Sequence, residues 1–373
     1  MCAMLTDMRR RLMLMGTMAA LPAWGAPQGV RPRPLRFPAD FGAHPDTRIE
    51  WWYATGWLHA AEPAAPDNGG ATPAFGFQIT FFRSRTEVDA GHPSRFAATQ
   101  LVFAHAALTD LGARRLRHDQ RIARSGFGLA FADGGDTRVA LRDWRLSRSG
   151  APEASVYSTR AASDSAGFAF ELRLAASQPL LLQGVDGYSR KGPRPAQASH
   201  YYSQPQLGVT GTLQLDGRPL AVRGRAWLDH EWSDTLLDAQ AVGWDWIGMN
   251  LHDGSALTAF RLRRADGSSL YAGGSFRAAG GAARNFGPDE VRMQAGRRWA
   301  SPGTQVVYPV EWRVATPAGE FNVRALLDSQ ELDSRASTGT VYWEALSELR
   351  DDQGRLVGHG YLEMTGYAAP ITL

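Results

Sequence analysis

A chain of 373 residues is longer than one hydrophobic core usually organises, so two domains are the default expectation. Its formal net charge of +3 gives no electrostatic case for nucleic acid, and its one cysteine, Cys2, leaves everything downstream without disulfides or thiol chemistry. The 40 glycines and 12 tryptophans suit many short strands joined by tight turns better than a helical bundle.

The chain opens on Met8-Arg-Arg-Arg, an apolar run over residues 12–21, and Pro22 with small residues behind it, which is the pattern of an export signal. Ala23 and Gly25 supply the small-residue positions for cleavage before Ala26, so residues 1–25 are expected to be removed. The run falls short of the roughly 20 apolar residues of a membrane-spanning helix, so no stable insertion is expected after cleavage. Arg9, Arg10 and Arg11 also approximate the twin-arginine pattern, and the expected location is periplasmic or secreted by either route. Residues 26–38 form a Pro-rich lead.

Beyond the lead, period-two alternation of aromatic and β-branched residues recurs, as in Phe75-Gly-Phe-Gln-Ile-Thr-Phe-Phe82, between turn signals such as Asp216-Gly217 and Asp266-Gly267. Sequential antiparallel strands follow, with short helices expected only at 113–122 and 329–336. An internal repeat is also visible. Gly224-Arg-Ala-Trp-Leu-Asp229 matches Gly358-His-Gly-Tyr-Leu-Glu363, and the interval from Trp51 to Leu58 equals that from Trp244 to Leu251. The expected domains are 39–232 and 243–373 with a linker at 233–242, the first enlarged by insertions at 60–72 and 183–206. Each half is a sheet that barrel closure would protect from edge pairing, although alternation alone does not separate a barrel from a sandwich.

Three clusters mix acids with indoles: Arg48 to Leu58, Leu228 to Asp234, and Gly243-Trp-Asp-Trp246. An acid beside aromatic rings in a dry cavity stays protonated and can protonate an alkene, while the rings stabilise the resulting cation. That logic points to Asp245 between Trp244 and Trp246, and to His230 with Glu231 before Trp232, as an acid and base pair across the domain junction. The competing reading makes the same tryptophans packing residues, with Glu50, Asp229 and Asp245 capping strands or pairing arginines such as Arg48 and Arg225. A glycine-rich loop, Gly184-Val-Asp-Gly-Tyr-Ser-Arg-Lys-Gly-Pro193, followed by Ser199-His-Tyr-Tyr-Ser203, would line a mouth or serve as a structural Ω-loop; it has no phosphate-loop spacing. No His-Glu-x-x-His or Gly-x-Ser-x-Gly occurs, so neither a metal site nor an ordinary serine hydrolase is expected.

The segments Glu50-Trp-Trp-Tyr-Ala-Thr-Gly56, Phe77-Gln-Ile-Thr-Phe-Phe-Arg83, Tyr201-Tyr-Ser203, Trp227-Leu-Asp-His-Glu-Trp232, Gly243-Trp-Asp-Trp246 and Thr365-Gly-Tyr367 resemble the AttH and carotenoid 1,2-hydratase family over nearly the whole mature chain. The resemblance implies an all-β fold of two tandem lipocalin-like antiparallel barrels. It also implies water addition to an isoprenoid double bond without a cofactor, with His230, Trp232 and Asp245 as the matching residues and Glu231 beside them. Trp51, Trp52, Tyr53, Tyr201, Tyr202, Trp244 and Trp246 would line the ligand.

On this basis the chain is expected to be an exported protein holding a lipid or isoprenoid, with Asp245 donating a proton to a C=C bond and His230 orienting water. Two alternatives stand beside it: a non-catalytic amphiphile carrier working with an ABC-type export system, and a lipocalin-like cyclase.

Overall fold

The computed structural model describes residues 29–61, 72–89, 91–235 and 237–371; the export signal at 1–25 and most of the 60–72 insertion lie outside them. Among the described residues nearly everything ordered is strand, and the helical turns are the short 3-10 segments Ala39–Phe41 and Pro152–Ala154. The two segments expected to be helical are not. Arg115–Arg124 is a strand laddered along Gln100–Asp110, and Glu331–Asp333 pairs with the start of Val341–Asp351. Ladder hydrogen bonds to a neighbouring strand outweigh a weak local helical stripe.

The strands form a sheet of 13 and a sheet of 10, with a small third pair. Both large sheets share one topology. In the first, the opening strand Ile49–Ala60 continues into the hairpin partners Phe75–Arg85, Gln100–Asp110 and Arg115–Arg124, while the closing strand Arg218–Ser233 returns along its other side. In the second, Gly243–Leu251 opens, Ala256–Arg263, Ser269–Arg277 and Ala283–Phe286 follow, and Leu356–Met364 closes. The register repeats as well: Leu58 lies opposite Gly224, and Leu251 opposite Gly358. The first sheet curls until Ala130–Ala132 meets Gln100–Asp110, giving a nearly closed barrel; the second is a half-barrel. The sheets end and begin at Ser233 and Gly243.

Each opening and closing strand is buried on both faces, because one face fills its own barrel and the other packs against the second unit. In the opening strand, Trp52, Ala54 and Leu58 enter the first core, whereas Tyr53 and Trp57 join a separate junction cluster with Trp227, Trp246, Phe260 and Tyr361.

Contrary to the expectation of an apolar chamber, the first interior is filled by side chains. Trp52, Trp144, Tyr157, Tyr202, Phe77 and Phe81 are fully buried, so no water-sized space adjoins them. Deleting one such ring costs about 3–5 kcal/mol. Polar contacts tie the units together, including Asn250 Nδ2 to Ala226 O at 3.0 Å, Thr109 Oγ1 to Gln330 Oε1 at 2.8 Å and Ser275 Oγ to Gln183 Oε1 at 2.8 Å.

Candidate functional site

Period-two alternation distributes the acid and aromatic motifs between two places. Residues 50 and 52 of the opening strand, with 230 and 232 of the closing strand, face the first barrel; 51, 53, 229 and 231 face the junction. His230 and Glu231 are neighbours in sequence but serve different sites.

At the mouth of the first barrel, Glu50 is fully buried and surrounded by donors. His230 Nε2 lies 2.9 Å from its Oε1, His44 Nδ1 2.8 Å from the same oxygen, and Arg83 Nε donates to Oε2 at 2.7 Å. His44 Nε2 meets Asp40 Oδ1 at 3.0 Å, and its ring stacks on Trp232 with centroids 3.7 Å apart. Tyr202 Oη reaches His230 Nδ1 at 3.0 Å, and Trp52 stacks on the His230 ring at 4.7 Å.

Burial penalises a charge on Glu50, yet the His230 and His44 hydrogen bonds outweigh it and hold the carboxyl well below the ordinary range. Burial dominates at His230, whose pKa falls to about 4, so a neutral ring donates through Nε2 to Glu50 and accepts from Tyr202 at Nδ1. At His44 burial is outweighed by Asp40 and Glu50, and the pKa rises.

Among the described residues, His44, Glu50 and His230 are a group that could hold a metal ion, their ligand-type atoms lying within 4.8 Å of one another. The sequence carries no spacing signal for this group, because His44 precedes the first strand. Mutual hydrogen bonds and the Arg83 guanidinium already satisfy these atoms as a proton-sharing network.

Asp245, expected to donate a proton at the junction, instead points into the second barrel. It is fully buried, with Oδ2 accepting from Arg261 Nε at 2.7 Å and Oδ1 accepting from Arg263 Nη1 and Tyr367 Oη, each at 2.9 Å. Three donors make it an acceptor and an ion-pair anchor rather than a proton source. Like Glu50 it lies opposite an arginine on the next strand, Arg83 or Arg261, but the register that matches Leu58 with Leu251 puts Trp52, two residues beyond Glu50, at its position in the first unit. The alternation that puts Trp244 and Trp246 at the junction must put Asp245 on the other face.

The junction itself gathers Tyr53, Tyr201, Trp227, Trp246, Phe260 and Tyr361, with Trp51, Trp244 and Tyr271 half-buried at the rim. Trp246 meets Tyr53 edge to face at 5.6 Å and Trp227 at 6.4 Å. Glycines make room for these rings. A Cβ on Gly248 would stand 2.3 Å from Trp246, and one on Gly76 would stand 2.7 Å from the Tyr361 hydroxyl.

Among the rings lie four acids. Glu344 and Glu363 form a cross-strand pair, and Glu363 also lies opposite Trp246. Asp229 Oδ1 accepts from Trp227 Nε1 at 2.7 Å and Ser203 Oγ at 2.5 Å, while Glu231 pairs with Lys191 at 3.0 Å. Burial pushes Asp229 up to about 7, Glu363 to about 8 and Glu344 well above the carboxylate range, the last reinforced by the facing Glu363 charge. Glu363 remains partly open, whereas Glu344 is only 3% exposed. Both Glu344 oxygens and the Tyr53 hydroxyl are buried without a hydrogen bond of good geometry, although the two groups lie close enough to interact and Gln78 stands beside Glu344.

Of the expected ligand residues, the junction therefore brings together Trp51, Tyr53, Tyr201, Trp244 and Trp246, and of the expected catalytic ones only Glu231; Trp52, Tyr202, His230 and Trp232 belong to the barrel mouth. Sequence reading gave no chemical role to Glu344 or Glu363. The signal for Glu344 was an acid inside an otherwise apolar strand, Val341-Tyr-Trp-Glu-Ala-Leu346.

Two duplicated barrels meeting at an aromatic, acid-bearing junction define a tandem lipocalin-like protein. The AttH-like family model matches residues 28–367, and the chain belongs to that family. The AttH structure from Nitrosomonas europaea is 47% identical over 92% of this chain and 99% of its own, with a TM-score of 0.81. Kievitone hydratase from Nectria haematococca shares the fold at 14% identity, covering 86% of this chain and 89% of its own, with a TM-score of 0.62. CghA with Sch210972 does so at 13% identity over 88% and 90%, with a TM-score of 0.53. No curated protein matches the sequence.

Proposed function

We infer that this protein acts as an acid catalyst on an apolar, unsaturated ligand of lipid or isoprenoid type, adding water across a C=C bond at the domain junction. The observation that carries the reading is Glu363, a partly open carboxyl whose raised pKa keeps it protonated at neutral pH beside Trp244, Trp246 and Tyr53. A protonated acid facing rings can deliver a proton to an alkene, and the rings stabilise the cation that forms. The Tyr53 hydroxyl and Glu344 oxygens, which face each other without a hydrogen bond of good geometry, offer polar contacts for water or for the ligand's own oxygen. A hydratase shares this fold, which agrees with the chemistry.

The protein would meet its ligand after export, in the periplasm or outside the cell. Native mass spectrometry with lipid extraction of the mature protein identifies the ligand, and incubation in oxygen-labelled water tests turnover. Label should enter the product with wild type and not with Glu363→Gln, which should still bind. Equal labelling by both proteins would refute the assignment.

The carrier reading draws on the same Tyr53 and Glu344 atoms, which would hold an amphiphile's polar end before delivery to an ABC-type transporter. Retention of an unaltered ligand, with no label incorporated, would favour it.

A further inference from the structure

Lys191 is the chain's sole lysine among 40 basic residues. Wherever a generic surface cation serves, this chain uses arginine, so the exception marks a position where a compact ammonium differs from a planar guanidinium. It lies in the glycine-rich loop after the short strand Tyr188–Arg190, where its N–H donates to Gln197 O at 2.7 Å. Its side chain is only 13% exposed. The ammonium stands 3.0 Å from Glu231 Oε1, 4.5 Å from the Tyr201 ring centre and 4.7 Å from that of Phe260. Tyr201 belongs to the first sheet and Phe260 to the second, so the charge is held between the two units at the rim of the acid cluster. Ser199 Oγ donates a short hydrogen bond to the same Glu231 oxygen.

We propose that Lys191 is the positioning residue that divides the junction carboxyls into a base and its acid, holding Glu231 as the carboxylate that takes the proton of the attacking water while Glu363 gives its own to the double bond. The inference rests on the hydration reading above. In the step, the Glu363 O–H bond breaks and a C–H bond forms, leaving a cation on the adjacent carbon. A water oxygen closes on that carbon, and its surplus proton passes to Glu231. The net change is one water added, and proton exchange through solvent returns Glu231 and Glu363 to their starting forms. The titratable groups around the pair are Glu231 and Asp229 on the closing strand, Tyr201 beside them, Arg190 in the loop, and Glu363, Glu344 and Tyr271 from the second sheet.

A single lysine makes the test selective. Reductive methylation with labelled formaldehyde places one side-chain carbon signal on Lys191, distinct from that of the α-amino group. Glu231→Gln removes the charge 3.0 Å from the ammonium and should move that signal at neutral pH. A signal that ignores Glu231→Gln would overturn the proposal, whether or not hydration stands.

In turnover, Lys191→Met should lower kcat about a hundred-fold with KM nearly unchanged and shift the acidic limb of the pH profile. Lys191→Cys in a Cys2→Ser background should be inactive until aminoethylation restores the ammonium. Unchanged kcat and pH profile in Lys191→Met, or an alkylated protein that stays inactive though folded, would also overturn it. Failure of the wild type to incorporate labelled water would sink the hydration reading instead, with the response of the methyl signal to Glu231→Gln still deciding whether Lys191 and Glu231 are paired.

Discussion

The barrel mouth and the junction are built from the same strands, one residue apart, and treat their acids in opposite ways. Glu50 is ringed by His230, His44 and Arg83, so every oxygen is satisfied and the group is held charged. Glu344 and Glu363 face each other among rings, and burial favours their neutral forms. The first arrangement holds a charge in place; the second favours a proton on acids set among aromatic rings. A buried acid becomes chemical through the lack of a counter-charge rather than through burial itself.

The largest effect should separate these roles. Glu50→Ala strands the Arg83 guanidinium in the core and should cost about 3–5 kcal/mol in denaturant unfolding, whereas Glu363→Gln should cost far less while removing turnover. Comparable stability losses in both would erase the distinction.

Asp245→Asn leaves Arg261 and Arg263 sharing a neutral partner and should destabilise by about 3 kcal/mol, with turnover per folded molecule retained. A fully stable, inactive Asp245→Asn protein would return the catalytic role to that residue.

The pH dependence should also differ in sign between the regions. Asp229 has a folded pKa raised to about 7, so the folded state holds a proton that the unfolded chain releases near its ordinary value. Its contribution is full at acid pH and declines as pH rises toward 7, by about 1.4 kcal/mol per pH unit. His230, lowered to about 4, works the other way: its contribution is full above its ordinary value and is lost as pH falls toward 4. Relative to wild type, the stability of Asp229→Asn should therefore tilt upward with pH by up to about 1.4 kcal/mol per unit between pH 4 and 7, because the falling component is gone and the rising one remains, and parallel curves in wild type and variant would contradict the raised pKa. The smallest effect is expected for Tyr53→Phe, which removes a buried hydroxyl that makes no hydrogen bond of good geometry to its neighbour Glu344, and should change stability by less than about 1 kcal/mol while weakening ligand retention.

Much of the fold was legible because duplication leaves a spacing that needs no structure to see. Trp51 to Leu58 and Trp244 to Leu251 keep one interval, and the structure puts Leu58 and Leu251 in equivalent register, opposite Gly224 and Gly358. The chemistry was legible as a composition, acids beside indoles, but not as a place. In strands buried on both faces the usual cue of a polar outer side is missing, so nothing in Gly243-Trp-Asp-Trp246 says which parity enters the barrel and which the junction. Lys191 was conspicuous in a named loop, yet its destination depends on the Gln197 hydrogen bond that folds the loop back. Glu363 was visible only as the acid ending a repeat, and its partner Glu344 comes from a strand whose pairing no local pattern announces.

The junction takes Asp229, Tyr53 and Lys191 from one half of the chain and Glu363, Glu344 and Phe260 from the other. Each unit holds an arginine-clasped acid of its own, Glu50 and Asp245, at positions two residues apart in the repeat. The junction cluster has no such single owner: either half by itself would carry only part of its acids and rings, so the cluster exists only where the two meet.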